Sequence, residues 1–339
     1  MVNILLNYIK NKVNKFIGNN FNSLRNSKTL QLSIIKTPPK NKVKKCCGNF
    51  IKKSINISDV VAQDPKFSTK YKIIKIIYEH TNKAAYMVKS KIDNNEYILK
   101  MKTDDYDNTD EFRIYKILKN KKNNYIIKFI ECVKRTDYQY FVYEYFNGMT
   151  LYDFITDNYD DITEKDIKDI FIKIVNAVKF LHSQNIIHCD LKLDNILIDN
   201  ANNIKIIDFD LSKICEDEYI SSGIFGTMQY IAPESYDLHI YSKKSDVWGL
   251  GIILYTLITK KFPYHDENFP IRHSYENMCR RNKFKHPDIL EMKHRVKEFN
   301  YDKNIINLVG LMLTFEDYKR ICLDDVLKFN WYVTATSAM

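Results

Sequence analysis

The chain has 339 residues, 45% of them hydrophobic, so it is long and apolar enough to bury a sizeable core. Its 24 Tyr and 19 Phe, against 8 Gly and 7 Pro, exclude a collagen-like or low-complexity chain. The net charge of +10 lies unevenly: residues 1–70 hold thirteen Lys and Arg25 against only Asp59 and Asp64, which leaves about −2 for the remainder and predicts no specific nucleic-acid surface there.

Residues 1–65 read as a separate basic extension, disordered or partly helical, broken by Pro38-Pro39 and closed by Asp64-Pro65. Within it Leu5, Tyr8, Ile9, Val13, Phe16 and Ile17 recur at helical spacing among lysines, and Cys46-Cys47 sit between further lysines. That pattern suits an anionic membrane surface or another acidic partner, with acylation of the cysteine pair as a second anchor. From Tyr71 short alternating runs predict antiparallel strands at Tyr71–Tyr78, Ala85–Lys91, Glu96–Met101 and Tyr138–Tyr145, interrupted by one helix over Asp110–Asn120. After Gly148 the helical period dominates, most clearly in Thr163–Ser183, Ser245–Thr259 and Ile305–Phe315. The expected architecture is α+β, with a small β-rich lobe over about 71–146 and a larger α-helical lobe over about 147–332.

The seven cysteines are odd in number and show no C-x-x-C spacing, which points to reduced thiols rather than a disulfide frame or a zinc site. The longest apolar stretch, Gly249–Thr259, is too short to span a bilayer. A soluble, cytoplasmic protein is expected, with peripheral membrane association through the extension.

The densest group of polar residues in apolar frames is His188-Cys189-Asp190-Leu191-Lys192-Leu193-Asp194-Asn195, followed by the strand-like Ile196-Leu197-Ile198. A second such strand, Ile204–Ile207, ends in Asp208-Phe209-Asp210. Asp208 and Asn195 supply the hard oxygens that Mg²⁺ takes alongside phosphate oxygens. Asp190 lies on the same loop, placed to orient a hydroxyl and accept its proton.

These residues resemble the eukaryotic-type serine/threonine protein kinase family over residues 71–332. His188 to Asn195 looks like its H-R-D-L-x-x-x-N catalytic loop, Asp208-Phe209-Asp210 like D-F-G, and Ala232-Pro233-Glu234 is A-P-E unchanged. Ser245 to Gly251 is similar to the central helix of the large lobe, and Arg320 falls where an arginine pairs with the A-P-E glutamate. The resemblance implies a bilobal kinase-like fold and Mg²⁺-dependent transfer of the γ-phosphoryl group of ATP to protein Ser or Thr hydroxyls, with Mn²⁺ as an alternative ion. It makes Lys100 of Tyr97-Ile98-Leu99-Lys100 the lysine on the phosphates and Glu111 its helix partner. It places Tyr143 at the gatekeeper and sets the backbone of Glu144 to Phe146 against adenine. Lys192 and the Gly226-Thr227-Met228-Gln229-Tyr230 segment favour Ser/Thr over Tyr, so Asp190, Lys192 and Thr227 form the implied catalytic set.

Three departures qualify the resemblance. The glycine-rich loop, opening at Ile77, carries Tyr78, His80 and Lys83 where glycines belong and Ala85 at its valine, which predicts weak ATP binding. Asp210 replaces the D-F-G glycine. Cys189 replaces the arginine of H-R-D, so control through a phosphorylated activation segment is not expected. The alternative is a pseudokinase, weak or inactive, that acts as a binding scaffold; a small-molecule phosphotransferase is disfavoured by the A-P-E segment.

Overall fold

The computed structural model describes residues 63–80, 82–103, 109–135, 138–157, 162–264 and 289–333. The amphipathic run near the N-terminus and Cys46-Cys47 lie outside the described residues.

A short helix, α1 (Pro65–Ser68), precedes a five-stranded antiparallel sheet built from β1 (Tyr71–Glu79), β2 (Lys83–Ser90), β3 (Glu96–Thr103), β4 (Phe129–Lys134) and β5 (Tyr138–Glu144) in the order β1-β2-β3-β5-β4. Strand alternation gives this sheet two unlike faces. Ala84, Tyr86, Val88, Leu99, Met101, Tyr140 and Val142 bury one face, capped by Phe67 of α1. Asp64 fixes that cap: its carboxylate accepts from the Lys66 N–H at 2.8 Å, from Arg135 Nε and Nη2 at 2.9 and 2.6 Å, and from the Tyr138 hydroxyl at 2.7 Å. Asp64 and α1, ahead of Tyr71, therefore belong to this lobe. On the opposite face lies α2 (Thr109–Lys119), whose Ile114, Tyr115 and Leu118 join Phe129, Phe141 and Tyr143 in the main core.

A large helical lobe follows. Its first elements are β6 (Met149–Thr150), α3 (Leu151–Asp157) and α4 (Glu164–Ser183), the last opened by a capping box between Thr163 and Asp166. Short pairs then carry the loops: β7 (Ile186–Ile187) with β10 (Lys213–Ile214), β8 (Ile196–Ile198) with β9 (Ile204–Ile206), and β11 (Ile220–Ser221) with β12 (Ile240–Tyr241). Around them pack α5 (Pro233–Asp237), α6 (Lys243–Thr259), α7 (Ile289–Glu298), α8 (Asn304–Met312), α9 (Leu323–Val326) and α10 (Asn330–Val333). Apolar on all sides, α6 is buried from Ser245 to Thr259, as a central core helix must be. Gly251 lets it pack, since a Cβ there would lie 2.7 Å from Leu313. The buried Glu234–Arg320 pair, at 2.8 and 2.9 Å, ties α5 to the segment before α9, as the sequence implied. No helix among the described residues is long and apolar enough to cross a membrane.

Candidate active site

The loop after β7 is fixed from below by Asp246 of α6. Its carboxylate accepts from the His188 N–H at 2.9 Å, from the Cys189 N–H at 3.0 Å and from His182 Nε2 at 2.8 Å. Those bonds hold Cys189 in a left-handed conformation, φ 65°, that a non-glycine residue adopts only when its surroundings enforce it. Burial, with Asp246 beside it, pushes the Cys189 thiol well above its ordinary value, so a neutral group stands where an arginine would. His188 Nδ1 accepts from the Asp190 N–H at 3.3 Å, so Nε2 carries the proton directed at the Ile207 carbonyl, 3.1 Å away.

Asp190 is oriented on every side. Oδ1 accepts from the Thr227 N–H and Oγ1, both at 2.8 Å, and Oδ2 accepts from Asn195 Nδ2 at 3.0 Å and lies 3.2 Å from Lys192 Nζ. Lys192 also donates to Thr227 Oγ1 at 2.8 Å, so the three residues of the implied catalytic set form one cluster. Gly226 makes that approach possible: its φ is +102° and a Cβ would sit 2.9 Å from the Cys189 carbonyl.

The Asn195 carbonyl accepts from the Ile207 N–H at 2.9 Å, which brings the second loop alongside the first. Asp208 is also left-handed, φ 67°. Phe209 is fully buried, its ring 5.6 Å from Phe129 and 5.3 Å from His188, and Phe129 in turn meets Tyr115 of α2 at 5.2 Å. An aromatic column thus joins α2, the sheet and the catalytic loop. Asn195 spends its amide nitrogen on the Asp190 side chain and carbonyl, leaving its amide oxygen for a cation. Among the described residues no group of three His, Cys, Asp or Glu side chains could hold a metal unaided. Asp208 and Asn195 fit an ion that completes its shell with water and phosphate oxygens, the habit of Mg²⁺.

The cleft face of the sheet departs from expectation. Lys100 does not pair with Glu111; its Nζ lies 2.9 Å from Asp208 Oδ1. Lys102 takes Glu111 instead, at 2.5 Å, and also lies 2.6 Å from Asp210 Oδ1. The cause is strand geometry: Lys102 shares the face of Lys100 but stands about 7 Å further along β3, toward the first turn of α2 that carries Glu111. Lys102 is the residue that sequence reasoning missed, although the two-residue alternation in Lys100-Met101-Lys102 carried the signal. Burial, reinforced by the Asp210 charge, pushes Glu111 up to about 7 against the pull of Lys102. Burial opposes the Lys100 charge, but Asp208 and Asp210 more than offset it.

Tyr78, Ala85 and Lys100 form one cross-strand row, and Lys83 stands opposite Lys102. Burial raises the Tyr78 phenol, with Lys100 pulling it down and Asp208 and Asp210 adding to the rise. Lys83 crosses the cleft to donate to Asp210 Oδ2 at 3.0 Å. His80 sits at the exposed hairpin turn, its N–H donating to the Lys83 carbonyl at 2.8 Å, and Ile77 is exposed at a bulge in β1. At the end of β5, Tyr143 is buried with its hydroxyl 3.4 Å from Glu111 Oε1. The Glu144 side chain turns to Lys205, at 2.6 Å, and its N–H donates to the Lys128 carbonyl at 3.0 Å, while Phe146 packs against the main core.

The protein kinase domain family model matches residues 71–332. The chain is 33% identical over 208 residues to a probable serine/threonine-protein kinase KIN1 homolog of Enterocytozoon bieneusi, which covers 61% of this chain and 32% of that one. It is 30% identical over 223 residues to the ovarian-specific serine/threonine-protein kinase Lok of Drosophila melanogaster (64% and 44%), and 30% identical over 210 residues to the serine/threonine-protein kinase PrkC of Bacillus subtilis (60% and 32%). It spans less than half the length of each of these relatives.

Proposed function

The chain belongs to the protein kinase family, and on that premise we propose that it is an active serine/threonine kinase that transfers the γ-phosphoryl group of ATP to protein hydroxyls without needing phosphate on its own activation segment. The observation that carries this reading is the Asp190 carboxylate held by Thr227, Lys192 and Asn195 at once. A base oriented so completely loses little freedom when a hydroxyl arrives. Asp190 accepts the hydroxyl proton as that oxygen bonds to the γ-phosphorus, and the bond from this phosphorus to the β–γ bridging oxygen breaks to leave ADP. Lys192 steadies the charge on the transferring group, Lys100 the charge on the remaining phosphates. Asp208 and Asn195 would hold Mg²⁺, or Mn²⁺ in its place, which neutralises phosphate oxygens when bound.

Incubating the protein with γ-labelled ATP, Mg²⁺ and a generic basic protein tests the reading. Label on Ser or Thr, lost in Asp190→Asn, is expected; no transfer above that control with either metal would leave a binding scaffold. The free thiols of Cys132, Cys189, Cys215 and Cys322 suit a reducing, cytoplasmic setting. The charge of residues 1–62 suits recruitment to an anionic membrane or another acidic partner, each basic residue near such a surface contributing about 1 kcal/mol.

A further inference from the structure

Two departures from the family pattern, far apart in the sequence, meet in space. Lys83 stands where the phosphate-covering loop has its third glycine, and Asp210 where D-F-G has its glycine; their side chains are 3.0 Å apart. Lys83 is also the direct cross-strand partner of Lys102. Like charges facing each other on one side of an antiparallel pair repel, and Lys102, with its side chain 3% exposed, has little water to screen it. The Asp210 carboxylate lies between the two, Oδ2 on Lys83 and Oδ1 on Lys102 at 2.6 Å. A glycine at 210 would leave both lysines without that anion, and a glycine at 83 would remove the β2 arm of the bridge.

We propose that the two exchanges are one compensated change: Asp210 is a positioning residue that clamps the β2–β3 hairpin onto the catalytic loops, replacing a flexible glycine loop with a fixed ion bridge. Through Lys102 the same carboxylate sets Glu111, so β2, β3 and α2 are held together before nucleotide arrives. The cleft face then carries Lys83, Lys100 and Lys102 against Asp208, Asp210 and Glu111, and Lys100 keeps its own partner. This rests on the kinase reading for what the cleft binds. The clamp itself is a property of the nucleotide-free protein.

Hydrogen exchange on the full chain without nucleotide tests it, read at residues 79–90 and 96–103, where the His80 N–H to Lys83 carbonyl bond reports the β1–β2 turn that carries Lys83 and the β2–β3 ladder reports the hairpin. Asp210→Asn should speed exchange there about tenfold, by exposing the Lys83–Lys102 repulsion. Adding Lys83→Met to that variant should slow it again at least about threefold, because one of the two facing charges is gone. Lys83→Met alone, at a partly exposed position, gives a variant that folds and should raise the KM for ATP more than it lowers kcat. Unchanged exchange in Asp210→Asn, or a double variant as fast as or faster than Asp210→Asn, overturns the clamp. An inactive wild type with a coupled Lys83 and Asp210 would overturn the kinase reading alone.

Discussion

Lys100 and Lys102 divide what one lysine was expected to do. Lys102 is buried with Glu111 and Asp210 around it, so Lys102→Met takes from buried Glu111 the cation that bonds it and leaves Asp210 with one fewer. Leaving buried charge uncompensated costs about 3 kcal/mol or more, and denaturant unfolding should register a loss of that order. Lys100 is partly exposed and faces Asp208. Lys100→Met should therefore unfold close to wild type yet transfer phosphate at least about a hundredfold more slowly. A pair of variants with those roles reversed would make Lys102, not Lys100, the lysine on the phosphates. The sequence marked the strand and the helix but not which lysine meets Glu111: a motif gives a residue's position along the chain but not how far a strand carries it past a neighbouring helix.

At the scale of elements, the activation segment is pinned without phosphate. Phe225 stacks on Tyr241 with ring centroids 4.0 Å apart, and the Tyr241 hydroxyl accepts from the Phe225 N–H at 2.9 Å. Pairing of β11 with β12 holds Ser221 opposite Ile240. Lys213, the lysine at the start of the segment, is engaged by Asp110 of α2 at 3.2 Å. Phosphatase treatment, or Ser221→Ala with Ser222→Ala, should leave the rate within about twofold. Tyr241→Ala should lower it about tenfold by freeing the segment that carries Thr227. A large fall with the serine pair and none with Tyr241→Ala would mean that phosphate sets the segment.

The α1 cap makes a different prediction. The Arg135 fork holds Asp64 well below the usual carboxylate range, against the cost of burial and with help from Tyr138. A depressed folded-state pKa means that the anchor contributes fully above the ordinary carboxylate pKa of about 4 and fades as pH falls below it. Thermal melts should show the D64N variant melting lower than wild type at pH 7, with the gap closing toward pH 3; a constant gap would mean that Asp64 acts through packing alone. The sequence marked Asp64-Pro65 only as a break. Nothing local distinguishes a chain-end turn from an N-cap whose carboxylate reaches Arg135, 71 positions away.

Over the whole molecule, the helical lobe was the most legible part, because its motifs follow one another at fixed spacings and α6 is apolar on every side. The bilobal α+β architecture follows the expected strand and helix order except at β4, Phe129–Lys134, which the sequence reading did not single out. The short pairs β7–β10 and β11–β12 escaped sequence reading, since two-residue strands have no period to detect. What the sequence could only show as defects, a lysine for the third loop glycine and an aspartate for the D-F-G glycine, the fold joins in an ion-bridged cleft with Asp190 still fully oriented. The most direct measurement is single-turnover transfer from bound ATP in wild type and Asp190→Asn, with ATP affinity measured on both. Wild type should transfer at least about a hundredfold faster while the two bind ATP alike. Equal rates in the two proteins, or no transfer by the wild type with Mg²⁺ or Mn²⁺, would contradict the account.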